Sequence, residues 1–237
     1  NTIAFEGASE KGTFRLSITD QNTQGIVPNN SMKKQTYNLR ASSNLTDRFN
    51  VDGRVSYVRS RVKNRPELAE GSANTSLQLS LMPRDVRLED VRNNTVDAEG
   101  NEMQYANDPT FNNPYWALDN VYNEDTKDRI QGMISAKWDV NDNLIFTGKS
   151  GIDYKIHDGM NYNGSGSQSH SAGLGNYGHG TSKSMIWNSD VLGTYKTSFV
   201  GININASLGA NYRNEFGNSM SVWGNDSKTP DFYRISN

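Results

Sequence analysis

The sequence contains no cysteine. That removes disulfides, thiolate metal sites and cysteine nucleophiles together, and leaves the compartment open. Long apolar runs are also missing. The longest, Tyr115-Trp116-Ala117-Leu118, has four residues, whereas a spanning helix needs roughly 20, so a transmembrane helix is excluded. Neither sign of charge dominates: 24 basic and 26 acidic residues leave a net charge of -2, without the basic stripe that nucleic acid demands. Nucleic acid is therefore not an expected partner. Apolar residues are scarce for 237 positions. The 34% hydrophobic residues and 21 glycines bring the apolar set to about 43%, below the roughly 45–50% of ordinary globular domains. A single large core is not expected. Disorder does not fit either, because 10% aromatic residues and near-neutral charge are not the signature of a chain that stays unfolded. The opening Asn1-Thr2-Ile3-Ala4-Phe5 has neither an initiator Met nor the regions of a signal peptide, as expected of a mature, trimmed or partial chain.

What is abundant is Asn, with 30 residues, and Ser, with 25, set in a period-2 pattern that marks strands with unlike faces. The clearest case is Ile202, Ile204, Ala206, Leu208, Ala210 and Tyr212, alternating with Asn203, Asn205, Ser207, Gly209, Asn211 and Arg213. Phe14, Leu16 and Ile18 repeat it, as do Tyr37, Leu39 and Ala41. Weaker versions run through Val51–Tyr57, Ile130–Trp138, Phe146–Ile156 and Met185–Phe199, and Thr2–Ala8 makes an eighth strand. The connections alternate in length. Those at Ser9–Gly12, Thr46–Arg48, Asn141–Asn143 and Val200-Gly201 are short; those at Gln21–Lys33, Asn64–Lys127 and Asp158–Gly180 are longer. An up-and-down antiparallel sheet then collects every tight turn on one rim and every long loop on the other, the layout of outer-membrane barrels.

Strand length agrees with a membrane span. Thr181–Phe199 rises roughly 44 Å at a 45° tilt, beyond an apolar band of about 25 Å. Trp187 and Phe199 fall on one face, roughly 28 Å apart along the membrane normal, about the separation of two aromatic girdles. Trp187 is expected in the outer girdle, and Tyr195, Phe199 and Trp138 in the periplasmic one. The plainer reading of these aromatics is the core of a sandwich.

Several segments together resemble a known family. Ser9-Glu10-Lys11-Gly12-Thr13-Phe14-Arg15-Leu16-Ser17, Gln24-Gly25-Ile26-Val27-Pro28-Asn29 and Asn38-Leu39-Arg40-Ala41-Ser42-Ser43-Asn44-Leu45-Thr46 are similar to consecutive barrel strands of SusC/RagA-type TonB-dependent transporters, nutrient importers of the Bacteroides group. Lys63-Asn64-Arg65-Pro66, Leu81-Met82-Pro83-Arg84, Asn113-Pro114-Tyr115-Trp116-Ala117-Leu118, Asn123–Arg129 and Phe232–Asn237 continue the likeness in the same order, and it thins between Gly159 and Lys183. The resemblance implies an all-β fold: an antiparallel up-and-down transmembrane β-barrel segment, about eight strands of a larger 22-stranded barrel. Residues 1–237 would then be barrel wall, with 64–127 a long extracellular loop and 158–180 a variable one. The family's plug, N-terminal domain and TonB box have no counterpart in the sequence, so TonB would be contacted through absent segments.

By the same resemblance the protein sits in the bacterial outer membrane, against outer-membrane lipid. It imports oligosaccharides or peptides, works with a SusD-like surface lipoprotein, and is not an enzyme. Tyr115, Trp116 and Tyr122 are the expected contacts with substrate or lid, beside the plainer reading that Trp116 packs its own loop. Two other classes stay open: a self-contained eight-stranded structural or adhesion barrel, and a secreted glycan-binding β-sandwich.

Within the long loop, Asn74–Leu81 is expected to form a short helix with Leu77 and Leu81 on one side, stopped by Pro83. No cofactor or metal is expected: His157, His170 and His179 are read as solvated loop residues, although two of them could approach one another. Gly173-Leu174-Gly175-Asn176-Tyr177-Gly178 spells a dinucleotide fingerprint, but neither a buried strand before it nor a helix pattern after it supports one. The carboxylate pairs Glu89/Asp90 and Glu124/Asp125 read as solvated loop residues rather than a hydrolytic pair. Arg15, Arg40, Arg54 and Arg213 fall on the polar phase of their strands and are expected to line a wet wall.

Overall fold

A computed structural model describes residues 1–105, 110–169, 173–230 and 232–234. Eight strands, β1 (Thr2–Ser9), β2 (Gly12–Gln24), β3 (Ser31–Thr46), β4 (Phe49–Lys63), β5 (Val121–Asp139), β6 (Leu144–Asn163), β7 (Asn176–Phe199) and β8 (Ile202–Asn225), form one sheet. They pair in sequence order and every pair is antiparallel. β1 and β8 are its edges rather than partners, so the eight strands do not close among themselves. There is also one sheet where a sandwich requires two. Both alternative architectures fall on these two observations.

The turns obey local chemistry. Val200 (φ 48°) and Gly201 (φ 77°) join β7 to β8; two consecutive positive φ values are what a two-residue type I′ hairpin needs, and glycine adopts one without strain. Asn141 Oδ1 accepts from the backbone N–H groups of Asn143 and Leu144, both at 2.9 Å, closing the β5–β6 turn with its own side chain. Residues 10–11, 47–48, 140–143 and 200–201 make the short connections, and 25–30, 64–120 and 164–175 the longer ones on the opposite rim.

All three expected long loops prove shorter, the first being 25–30 rather than 21–33. β5 begins at Val121, not after Lys127, and β6 and β7 reach Asn163 and Asn176, so the connections are 64–120 and 164–175 rather than 64–127 and 158–180. Backbone pairing carries the strands on through segments whose side chains are polar on both faces.

The 64–120 connection carries three short helices: α1 (Thr75–Leu81), α2 (Leu88–Asn93) and α3 (Pro114–Asn120). Asn74 caps α1, its Oδ1 accepting from Leu77 N at 3.3 Å. The helix falls where expected, and its buried residues are Thr75 and Gln78, while Leu81 is exposed. Asn113 caps α3 by accepting from Tyr115 N (3.0 Å) and Trp116 N (3.3 Å), with Pro114 in the first turn where its missing N–H does no harm. Among the described residues only Val91, Trp116 and Ala117 are buried apolar side chains. The core of the chain sits in this connection, and the sheet has none of its own.

Candidate functional site

Side chains alternate across the sheet, and the register joins them into rows. One face carries Ile18, Tyr37, Tyr57, Ile130, Tyr154, Met185 and Phe216 side by side across β2 to β8. One pairing step toward the long connections, the same face reads Asp20, Gln35, Arg59, Asp128, Ile156, Lys183 and Asn218, and the next step Asn22, Lys33, Arg61, Thr126, Asp158, Thr181 and Met220. Toward the short turns it carries Leu16, Leu39, Val55, Ile134 and Ile152 down to Trp138 and Phe146, with Ser150, Ser189 and Asn214 set among them. The change to polar side chains falls at one level on β2, β3, β4, β5 and β7, while Ile156 on β6 and Met220 on β8 carry apolar side chains further.

Aromatics mark both margins of this apolar band. Tyr37 stacks on Tyr57 with centroids 6.0 Å apart, and Tyr57 Oη donates to Asp128 Oδ1 at 2.6 Å. Trp187 meets Tyr212 edge-on at 6.0 Å and donates from Nε1 to Ser150 Oγ at 2.9 Å. At the short-turn end Trp138 pairs across strands with Phe146, and Tyr195 with Leu144. Trp138, Trp187, Tyr195 and Phe199 are all on the apolar face and all exposed, at 50%, 45%, 48% and 71%.

The other face is polar and ion-paired. Arg40 Nε lies 3.1 Å from Asp52, and Arg129 forks onto both oxygens of Asp153 at 2.8 and 2.6 Å, the bidentate geometry that fixes a guanidinium. Arg15 reaches Glu6 at 3.7 Å and Arg213 pairs with Glu215. Arg15, Arg40 and Arg54, with Gln131, Lys149 and Asp190, line a concavity of about 760 Å³. The four expected arginines all stand on this face.

Beyond the apolar band the extended strands carry two further clusters. On the same side as the band, Arg61 Nε donates to Glu124 at 2.5 Å, and Tyr122 Oη donates to the other oxygen of Glu124. Burial, then the hydrogen bond to Glu124 and its negative charge, push the Tyr122 phenol up to about 12. The Arg61 hydrogen bond holds Glu124 below the usual carboxylate range, with burial opposing. Tyr122 stacks on Tyr162 at 5.1 Å, and Tyr162 on Tyr233 at 4.0 Å. On the polar face, Asp125 takes Arg65 at 2.7 Å and Lys127 at 3.4 Å. Burial works to raise the Asp125 carboxyl, but the hydrogen bond and charge of Arg65, with Lys127, outweigh it and leave it below the ordinary value. Glu124 and Asp125 therefore lie on opposite faces of a strand, not in a solvated loop.

Of the expected contact residues, Tyr115 and Tyr122 are half-buried, whereas Trp116 is 2% exposed. α3 buries Trp116 together with Pro114 and Ala117. His157 and His179 stand on opposite faces, His157 beside Asp125 at 3.6 Å and His179 beside Asp158 at 3.1 Å, and His170 lies outside the described residues. Among the described residues no group of three metal-ligating side chains converges. Gly173–Gly178 leads into a strand rather than a helix. The one strand aromatic on the polar face, Trp223, was not singled out by the sequence reading. Its signal was its phase: it continues the series Ser219, Ser221 on the polar positions of β8.

The chain matches no protein-family model and no curated protein. Solved structures do match. The RagAB peptide transporter superimposes with a TM-score of 0.73 at 18% identity over 99% of this chain, and the RagAB peptide importer in its closed-closed state with 0.72 at 17% over 99%. FpvA of P. aeruginosa, bound to heterologous pyoverdines, gives 0.60 at 14%, again over 99%. The chain spans about a quarter of the length of these proteins, 26% of the RagAB chains and 28% of FpvA. The eight strands thus share the fold of the matching part of the RagAB and FpvA structures.

Proposed function

We propose that this chain is part of the wall of a TonB-dependent outer-membrane importer of oligosaccharides or peptides, working with a SusD-like lipoprotein and performing no catalysis itself. The observation that carries the reading is the apolar-to-polar change at one level on five strands of an open up-and-down sheet, with the longer connections all on the polar side of it. A lipid-facing band bounded by headgroups accounts for that pattern; a soluble sheet has no reason to align its side chains in this way. In this reading the polar face lines the lumen, the connections 25–30, 64–120 and 164–175 are extracellular, and 1–237 is barrel wall throughout. Trp187 anchors the outer interface, and Trp138, Tyr195 and Phe199 the periplasmic one. Tyr115 and Tyr122 are the surface offered to substrate or lid. Peptide import is what the RagAB structures are described as doing, which keeps peptide beside oligosaccharide as cargo.

The intact protein that contains this chain should fractionate with the outer membrane, require detergent, and co-purify with a lipoprotein. Nutrient uptake through it should cease when TonB is removed. Recovery as a soluble protein without detergent would overturn the reading, and uptake that is indifferent to TonB would overturn its energetic part.

A further inference from the structure

Among the described strand residues, Trp223 is the only aromatic on the polar face; every other strand tryptophan, tyrosine and phenylalanine stands on the apolar one. It is neither core nor girdle, and it is 64% exposed. Its register partner on β7 is Gly178. A Cβ at Gly178 would come within 2.4 and 2.6 Å of the indole carbons Cζ3 and Cε3, and 2.7 Å of Asn161 Oδ1. The indole therefore sits over the bare backbone of Gly178, in a position that any side chain at 178 would deny it. Leaning toward β7, it is turned away from the sheet edge.

The surroundings extend this platform. Gly159 and Gly180 pair across β6 and β7, so the floor beside the indole carries no side chains. The hollow above it holds about 500 Å³ and is edged by Asn123, Asn161, Ser182 and Ser221, amides and hydroxyls that both donate and accept. That volume lies within the range of small-ligand sites, which are roughly 300–1,000 Å³. Arg65, Asp125, Lys127 and His157 also line it, and there the Asp125 carboxylate is taken by Arg65 and Lys127. The backbone of β6 and β7 is consumed by the ladder on both sides, which leaves no free strand edge there for an extended peptide to add to.

An electron-rich indole face, a flat floor and a rim of amides and hydroxyls, beside a carboxylate that two cations already hold, suit a ring with a C–H face and a hydroxyl edge. We infer that Trp223, seated on Gly178, is a stacking platform for one sugar ring of a neutral oligosaccharide. The inference rests on the importer reading, which makes the polar face the lumen, and narrows its cargo.

The test uses the intact detergent-purified protein on an array of neutral glycans, with an array of short peptides alongside. The wild type should retain at least one glycan, W223A should weaken that binding on the order of tenfold or more, and W223F should restore part of it. G178A should weaken it with the tryptophan still present, because the new methyl lifts the indole. Heat-modifiable migration verifies that each variant is a folded barrel. Retention of no neutral glycan by the wild type, glycan binding within roughly twofold of wild type in W223A, or Trp223-dependent retention of peptides alone would each overturn the inference. TonB-dependent uptake measured in the same variants keeps the two readings apart: if uptake persists while the glycan result fails, only the sugar platform falls.

Discussion

Tyr122 shows how a single side chain reports its surroundings. It sits eight residues beyond Ile130, roughly 26 Å along the strand, past the apolar band and against Glu124 and Tyr162. A phenol pushed up to about 12 is one whose neutral form the fold favours, so its contribution to stability is complete below the ordinary value near 10 and is lost as pH rises through about 12. Glu124 has the opposite sign: its pairing with Arg61 contributes above the ordinary carboxylate range and is lost as pH falls through its lowered value. Near-ultraviolet titration should reveal late tyrosine ionisation that diminishes by one group in Y122F; identical curves for the two proteins would sink the assignment. Nothing in the sequence announced this triad, because Tyr122 and Glu124 read as loop residues until β5 was seen to begin at Val121. Trp116 and Trp223 have the same lesson. An aromatic in a short apolar run without a period has no phase from which to read its direction, so Trp116 could not be told from an exposed contact, whereas Trp223 did have a phase that set it apart.

The strands were legible wherever their two faces differ in polarity. Ile202 to Tyr212 alternates without a break and lies within β8, and the turn at Val200-Gly201 falls where the alternation resets. The strand ends were not legible: Asn123–Lys127 and Asn161–Asn163 extend beyond the apolar band, where both faces are polar and the period-2 signal disappears while backbone pairing continues. Within the 64–120 connection the stabilising element is a carboxylate. Glu102, 2% exposed, accepts from Asn113 N, from Asn112 Nδ2 at 2.8 Å and from Gln168 N at 2.9 Å. Its own N–H donates to Gly166 O at 2.8 Å, and Asn112 Nδ2 also reaches Ser167 Oγ at 3.0 Å. One acceptor-only group thus fastens the 64–120 connection to the 164–175 connection. E102Q would turn an amide donor toward groups that are themselves donors, at a cost of about 2 kcal/mol. Hydrogen exchange should quicken in 110–120 and in 164–169 of E102Q with the strand amides unchanged; protection equal to wild type in both connections would show that the fastening lies elsewhere.

At the scale of the whole molecule, the shortage of apolar residues follows from the architecture. A globular domain spends its apolar side chains on an interior. This sheet has none, and in a bilayer each strand would need them only on the lipid side and only across the band. The surplus of Asn, Ser and Gly then belongs to the polar face and to the connections. The two faces are then unequal in a way that neighbouring residues can test. Ile134 and Ser135 are consecutive on β5, midway between the rows of Ile130 and Trp138. Ile134 is 56% exposed on the apolar face, and Ser135 points to the polar one, its Oγ 3.5 Å from Asp52 O. A soluble sheet with both faces in water would accept a lysine at either position nearly equally. With lipid on one side, Ile134→Lys should cost about 2–4 kcal/mol while Ser135→Lys costs less than about 1 kcal/mol, since a lumen substitution leaves the charge in water. Denaturant unfolding of the intact protein in detergent or liposomes, read as a pair, measures the difference directly. Equal costs for the two lysines would remove lipid from the apolar face, and with it the membrane reading of the whole sheet.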